Sequence, residues 1–568
     1  MMAAGQKSLA SFNFCHNLHA GSLLQGLQEL RSDKRLVDVT LCVSGKEIPC
    51  HRNVLAACSE YFLAMFCSGH LESRQQKVDI QEVSPDTLQL LVDYAYTSKV
   101  TITDGNAVEL LEGANFFRIL PVLDACVTFI SNNMSAKDCL QMIQVGNMLS
   151  CPDLEKKARS CALKEFAAVS KTPEFLSLIK DQLITLISSD DLNASEETVY
   201  SAVLSWIDHD NEQRKEEMRE LMELVRFPFM DKVHFLEKVQ SNRAICSSCQ
   251  DIVTETLKHQ LFPGEVQSPR TRPRRASGLR EAVVVLAGKE RRGTAVDDYS
   301  DWITMTYSAE PTSTSWIPLT QMKYAVAVPA AVLGTSDIIM SIGKDVMLYQ
   351  AELDSWSNLA EMNSERCRNK LAVLHGKVYS IGGKDTSIKF VASAVVRSVE
   401  VYDRSQNKWT AGVPLPQPRY GHAVAVLDSS IYVMGGKDDK NNPTASVYCF
   451  SPGDSQWHSL KDMPVTAHNA TASVLNGSIY AGLDSNIFCF TPSEDGGLWS
   501  LVALDIPFFC GMTVFAGKVY IYGGCNRKKD RVTKEVLCLD PETQLLSRVG
   551  SMPTDLYGHT CVTILKYC

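Results

Sequence analysis

Residues 38–72 read DVTLCVSGKEIPCHRNVLAACSEYFLAMFCSGHLE, and this stretch decides how the first domain is built. Asp38 to Val43 has polar and apolar positions that suit a half-buried strand, and Ile48 to Cys50 looks like its hairpin partner across Ser44-Gly45-Lys46. Two short helical segments follow, one carrying Val54, Leu55 and Cys58, the next Tyr61, Phe62, Met65 and Phe66. Strand, hairpin and closely spaced helices make a compact α+β unit. It holds no pairing of nucleophile with base, no metal cage and no phosphate cradle, so it reads as an assembly surface.

Upstream, Leu23, Leu24, Leu27 and Leu30 give one helix an apolar stripe, closed by the charged run Arg31, Asp33, Lys34 and Arg35. Downstream, a short strand at Val78–Ile80 and helical spacings through Leu88–Tyr96, Val108–Leu111 and Val122–Phe129 complete a domain over residues 22–132, after a tail at 1–21. The quoted stretch closely resembles a BTB (POZ) domain. The matching letters are Asp38-Val39-Thr40-Leu41, His51-Arg52, Leu55 through Phe62, Met65-Phe66 and Glu72-Ser73. The resemblance implies a homodimer in which the helix of Leu23, Leu24 and Leu27 packs across a two-fold axis, with Asp38 and Arg52 together near it. It also implies a grip on cullin-3 through Met65, Phe66 and a hydrophobic-x-Glu motif. Here that motif reads His70-Leu71-Glu72, with His70 at the hydrophobic position.

Residues 133–262 read as almost wholly helical, with apolar residues at helical spacing in Leu140, Ile143 and Met148, in Phe175, Leu178, Ile179, Leu183 and Leu186, and in Val199, Val203 and Trp206. Ser189-Asp190-Asp191-Leu192, Glu196-Glu197 ahead of Val199, Trp206-Ile207, Arg214 and Val225-Arg226-Phe227-Pro228 resemble a BACK domain, a rigid spacer without site chemistry. Asp190 reads as a helix N-terminal signal. Residues 263–280 read as a linker rich in proline and glycine, with a basic cluster at Arg270, Arg272, Arg274 and Arg275. Arg274-Arg275-Ala276-Ser277 fits a basophilic kinase site at Ser277.

From residue 281 to 568 the chain repeats every 40–55 residues or so. Each unit has an apolar strand ending in glycine, a second apolar-aromatic strand and a tryptophan. The glycines are Gly288, Gly343, Gly382-Gly383, Gly435-Gly436, Gly482 and Gly523-Gly524; the tryptophans are Trp316, Trp356, Trp409, Trp457 and Trp499. Such strands describe a β-propeller, and the units resemble Kelch repeats, counted as six blades. The first, second and fifth lack the full glycine pair, and the tail from Gly558 to Leu565 reads as the strand that completes blade one and closes the ring. The fold class expected is therefore multidomain: an α+β BTB domain, an all-α BACK domain and an all-β six-bladed Kelch propeller. Together these resemble the Kelch-like proteins, which bridge cullin-3 ubiquitin ligases to a substrate while other subunits do the chemistry. The resemblance places substrate contacts on the loops entering each blade's first strand, at Tyr324, Arg366, Arg368, Arg419, Tyr420, His468, Asn469, Phe508, Phe509 and Tyr557. Arginine and aromatic residues are the usual hot-spot types, and the arginines suit an acidic or phosphorylated peptide.

A net charge of −9 argues against a general nucleic-acid binder. No apolar run approaches the ~18–20 residues of a membrane span, and MMAAGQKSLASFNF lacks the pattern of a secretory signal. Nineteen scattered cysteines then read as reduced thiols in the cytoplasm, or the nucleus. Cys246-Ser-Ser-Cys249 lacks the second pair that a zinc site wants. No catalytic, cofactor or metal constellation is expected. The competing reading is an actin-associated cytoskeletal scaffold. A BTB transcription factor would need finger modules, and an oxidase of the galactose oxidase type would need a copper-binding Tyr, His and Cys set; His422, His468 and His559 are explained by the repeat.

Overall fold

The computed structural model describes residues 15–67, 74–288, 306–313, 315–321, 328–387, 394–526 and 531–567. They fall into two compact units, Met1–Ser177 and Leu178–Cys568, a division that lies inside the helical segment.

The first unit begins with α1 (His19–Ser32), β1 (Val39–Val43), β2 (Lys46–Cys50), α2 (Arg52–Cys58), α3 (Glu60–Cys67) and β3 (Lys77–Asp79). β1 pairs antiparallel with β2, Leu41 opposite Ile48, and parallel with β3, Leu41 opposite Val78. This period-two register puts Val39, Leu41, Val43, Ile48 and Cys50 on the covered face. Helices α4 (Pro85–Thr97), α5 (Ala107–Phe116) and α6 (Leu120–Asn133) close the core. Ser84 caps α4 by accepting from the Thr87 amide, with proline at the first helical position. Phe62 stacks on Phe117 at 5.0 Å and on Phe66 at 5.8 Å, tying α3 to the end of α5. Helices α7 (Cys139–Met148) and α8 (Pro152–Lys164) cross at Gly146, where a Cβ would come within 2.8 Å of the Glu155 amide nitrogen.

In the second unit, helices at Lys180–Ile187, Glu196–His209 and Gln250–Leu261 precede the repeats. The Glu196 helix is capped by Ser195, which accepts from the Thr198 amide. Asp190, expected at a helix start, lies in the preceding turn and pairs with Arg226 instead. Trp206 donates its indole N–H to the Leu178 carbonyl at 2.9 Å, and Arg214 stacks 3.9 Å above its ring.

Six four-stranded antiparallel sheets follow. Their inner strands are Thr560–Tyr567, Ala330–Leu333, Lys370–Leu374, Ala423–Leu427, Thr471–Leu475 and Gly511–Phe515, for blades one to six. Each touches the next and the last touches the first, so the ring closes. Thr560–Tyr567 pairs along its full length with Leu279–Leu286, Thr560 opposite Leu286 and Tyr567 opposite Leu279.

The glycine pairs have a steric cause. In blade three a Cβ on Gly382 would lie 2.6 Å from the Arg419 carbonyl, and one on Gly383 2.8 Å from the Cys367 carbonyl. The Gly383 amide donates to that Arg419 carbonyl, in the next blade, at 2.8 Å; Gly436 and Gly524 do the same to Ala467 and Leu556. Blades two and five need no such passage, because their second and third strands join directly through Gly343-Lys344 and Asp484-Ser485. The tryptophans tie neighbouring blades together. Trp409 and Trp457 donate to the Ala360 and Val413 carbonyls, each at the exit of the preceding blade, at 2.9 Å.

The segment expected to be a solvated linker is a clasp. Arg274 is buried against Glu196 at 2.7 Å and also donates to the Ile187 and Ser189 carbonyls. Arg270 pairs with Glu255, and Arg226 donates to the Arg272 carbonyl. Phe262 lies against His375 at 4.8 Å, Glu265 accepts from the Gly376 amide at 3.2 Å, and Glu281 accepts from the Ala516 amide at 2.7 Å. The helices and clasp therefore sit against the first-to-second-strand turns of the propeller.

Candidate functional site

The expected substrate residues divide by a simple rule of position. Arg366 and Arg419 are 1% exposed. Arg366 pairs with Glu400 at 2.6 Å and donates to the Gly382 and Ser398 carbonyls. Arg419 donates to the Gly435 and Ser446 carbonyls and to the Ser446 hydroxyl, with Tyr448 beneath it. Both brace the glycine turns of their own blades and are corrected here from substrate contacts to framework. Tyr420 is also buried; its hydroxyl donates to Asn441, and its ring is covered by the Lys384 ammonium at 4.1 Å and the Arg368 guanidinium at 5.8 Å. It is a platform for the two cations. Tyr324 lies outside the described residues.

Of the remaining six, Arg368, Asn469, Phe509 and Tyr557 line the central cavity, with His468 and Phe508 beside them. His468, Phe508, Phe509 and Tyr557 form a continuous aromatic arc, with ring centroids 5.6, 6.1 and 6.1 Å apart in sequence order. Arg368 lies across the ring from this arc, three blades from Phe509, and Asn469 lies between. Arg368, Gly421, Asn469, Phe509 and Gly558 occupy one equivalent position, two residues before each inner strand, and all have positive φ, between 53° and 68°. The Arg368 carbonyl accepts from the Gly421 amide at 3.1 Å and the Phe509 carbonyl from the Gly558 amide at 3.0 Å. A Cβ on Gly421 would meet the Asn469 side chain at 3.0 Å, and one on Gly558 the Phe509 ring at 3.0 Å. Two glycines thus make room for two neighbouring side chains at the rim.

Below the rim runs a central cavity of about 670 Å³. Lys370, which was not singled out as a site residue, lines it, and burial there pulls its ammonium below the ordinary lysine value. One signal was available: among the described inner strands, only that of blade three begins with a charged residue. Linker residues Gly264, Gln267, Thr271 and Arg272 line the other end. His559 also faces the cavity, and its burial holds it down to about 4. Among the described residues no group of three or more His, Cys, Asp or Glu side chains could hold a metal. Cys246 donates to the Gln240 carbonyl at 3.0 Å, and Cys249 is buried.

In the first unit, α1 packs on α4 through Leu27 and through Arg31, which pairs with Asp93 at 2.8 Å and lies 4.9 Å from the Tyr96 ring. No residue of α1 is buried; Leu23 is 56% exposed and Leu24 partly so. Asp38 accepts from the Arg52 backbone amide at 2.8 Å, while the Arg52 side chain reaches the Asp38 and Gln75 carbonyls and stacks 4.9 Å over Phe66. Asp38 and Arg52 are thus brought together mainly through the backbone. Met65 and Phe66 are half-buried on α3. His70, Leu71 and Glu72 lie outside the described residues.

The described residues thus form an α+β domain, a helical region and a six-bladed propeller, and no described helix is long and apolar enough to cross a membrane. Sequence comparison agrees part by part. Residues 27–134 match the BTB/POZ domain, 139–240 the BACK (BTB And C-terminal Kelch) domain, and 365–416, 418–464 and 508–553 the Kelch motif, these last being the units with a glycine pair. Kelch-like protein 24 of Rattus norvegicus is 35% identical over 559 residues, 97% of this chain and 91% of its own length. Kelch-like protein 35 of Mus musculus is 31% identical over 96% of each chain, and Kelch-like protein 38 of Homo sapiens 28% over 98% of each. The chain belongs to the Kelch-like protein family.

Proposed function

We propose that this chain is a substrate-recognition adaptor of a cullin-3 RING ubiquitin ligase, itself non-catalytic and working in the cytoplasm. The BTB domain dimerises through α1 and the Asp38–Arg52 neighbourhood, and Met65, Phe66 and Glu72 contribute to the cullin grip. The propeller captures the target protein at its mouth. The observation that carries this reading is the division of faces within the second unit. Phe262 and Glu265 contact one face of the propeller, and the described residues of the other carry an aromatic arc and a cation. Large aromatic and arginine side chains at an open concave rim are the composition of a protein-binding hot spot.

Calorimetry of the purified full-length protein against the cullin-3 N-terminal region is the test. Binding at micromolar concentration or tighter is expected, with one cullin per chain of a dimer. No binding there, together with co-sedimentation with F-actin, would replace the ligase reading with the cytoskeletal one.

A further inference from the structure

The clasp is fastened to the helical region in two different ways. Arg274 is sealed in by Glu196 and two carbonyls, whereas the turn at Ser268–Arg270 hangs on one carboxylate. Glu255, on the Gln250–Leu261 helix, accepts from the Ser268 hydroxyl at 2.7 Å and from the Arg270 guanidinium at 3.1 and 2.5 Å. Glu255 and Arg270 are each 17% exposed, so water and salt screen this contact little. The Ser268 oxygen also accepts from the Arg270 amide at 3.2 Å. The Thr271 hydroxyl accepts from the Ser268 amide and donates to the Ser268 carbonyl, each at 3.0 Å.

Open space lies beside this turn. Ser268 lines the lower end of the central cavity, and also a groove of about 900 Å³ between the Gln250–Leu261 helix and the turns of blades three to five. The chain at Ser268 is extended, with φ −142° and ψ 168°, as the proline after it favours. Ser268 is half-buried and Pro269 exposed. An extended serine followed directly by proline is the pattern that proline-directed protein kinases read. Ser277, further along the clasp, differs in that the arginine a basophilic kinase would read is buried.

We propose that Ser268 is a phosphorylation site for a proline-directed kinase, and that its phosphate releases residues 264–272 of the clasp from the Gln250–Leu261 helix. The Ser268 oxygen attacks the γ-phosphorus of ATP held by the kinase. The new O–P bond forms as the bond to the ADP oxygen breaks, and the hydroxyl proton passes to the kinase's base. The donor to Glu255 is then gone, and a group of about −1.5 to −2 charge stands against the carboxylate instead. Arg270 has its fork filled by Glu255, so turning to the phosphate strands that carboxylate. Arg219, which lines the groove, is committed to Glu223 and Asp251. Like charges part, and the turn lifts off the helix. Just upstream, a Cβ on Gly264 would lie 2.4 Å from the Gly334 carbonyl, and Glu265 accepts from the Gly376 amide. The release therefore loosens the hold on blades two and three, while Arg274 keeps the chain anchored.

The test exposes the purified full-length protein to a purified proline-directed kinase and ATP. Mass spectrometry reads the modified position, and limited proteolysis within 263–280 reads the clasp. Ser268 is expected to be modified in the folded protein, and cleavage to accelerate by about tenfold or more, since protease attack follows the population of the open segment. Ser268→Ala, checked for unchanged melting, should show no acceleration under the same treatment, which separates this site from other serines and threonines before proline. Glu255→Gln keeps an acceptor for the hydroxyl and removes the opposing charge, so its phosphorylated form should be cut no faster than before treatment. If Ser268 stays unmodified while a synthetic peptide of residues 262–274 is modified fully, the site is overturned. Cleavage left unchanged or slowed by the phosphate, as capture by Arg270 and the groove-lining Lys258 would give, overturns the release. Acceleration that persists in phosphorylated Glu255→Gln overturns it too.

Discussion

Arg366 and Arg368 are two positions apart and have opposite roles. Glu400 holds Arg366 inside blade three, and it also accepts from the Asn363 and Ser364 amides at 2.7 and 3.0 Å. Removing one member of a buried ion pair costs about 3–5 kcal/mol because the other charge is stranded. Arg366→Ala is expected to lower propeller stability in urea by that amount, and adding Glu400→Gln should recover more than half of it. The amide oxygen of the glutamine still accepts from the backbone while the stranded charge is gone. Arg368→Gly should leave stability unchanged or slightly raise it, since a non-glycine residue in the left-handed region costs about 1–2 kcal/mol and glycine's entropy returns about 0.5–1 against it. Buried His559 and His259 are each held down to about 4, well below the ordinary histidine value, by desolvation. The unfolded chain therefore binds more protons between about pH 6.5 and 4. Their contribution is intact above that window and is lost as the pH falls through it, on the order of 3 kcal/mol for each group. Urea titrations of the parent and of His559→Gln across this range should diverge, with the variant showing the shallower decline.

At the scale of elements, the glycine pairs and tryptophans were legible because their causes are local and repeated: a carbonyl too close for a Cβ, and an indole N–H aimed at the previous blade. The burial of Arg366 and Arg419 was not, because it depends on Glu400 and Ser446, which come from further along the same blades. The basic linker misled for a similar reason. Its arginines look solvated until Glu196 and Glu255 are placed opposite them. Ser277 donates to the Arg274 carbonyl at 2.7 Å, and the arginine that a basophilic kinase would read three residues before it is buried. Phosphorylation of Ser277 in the intact protein is expected to be slow and to accelerate in Glu196→Ala, as followed by phosphate incorporation. Limited proteolysis within 266–280 should rise in the same variant.

For the whole molecule, the proposed cullin grip and the proposed target grip fall on separate domains, so variants at one should leave the other unchanged. In the proposed cullin contact, His70 stands where the resemblance to the family implies a hydrophobic residue. Restoring an apolar anchor by His70→Leu is expected to tighten cullin-3 binding by about 1–3 kcal/mol, roughly tenfold or more, read by calorimetry.

Pairing Thr560–Tyr567 with Leu279–Leu286 also has a consequence for how the protein is made. On a translating ribosome the BTB domain and helices emerge first, and five sheets can assemble in order behind them. Blade one, however, must wait with its Leu279–Leu286 edge unpaired until the last of the described strands is synthesised. A bare, apolar strand edge is a template for wrong pairing, so nascent chains stalled within blade six should be the species most dependent on chaperones, and the last to acquire a mouth.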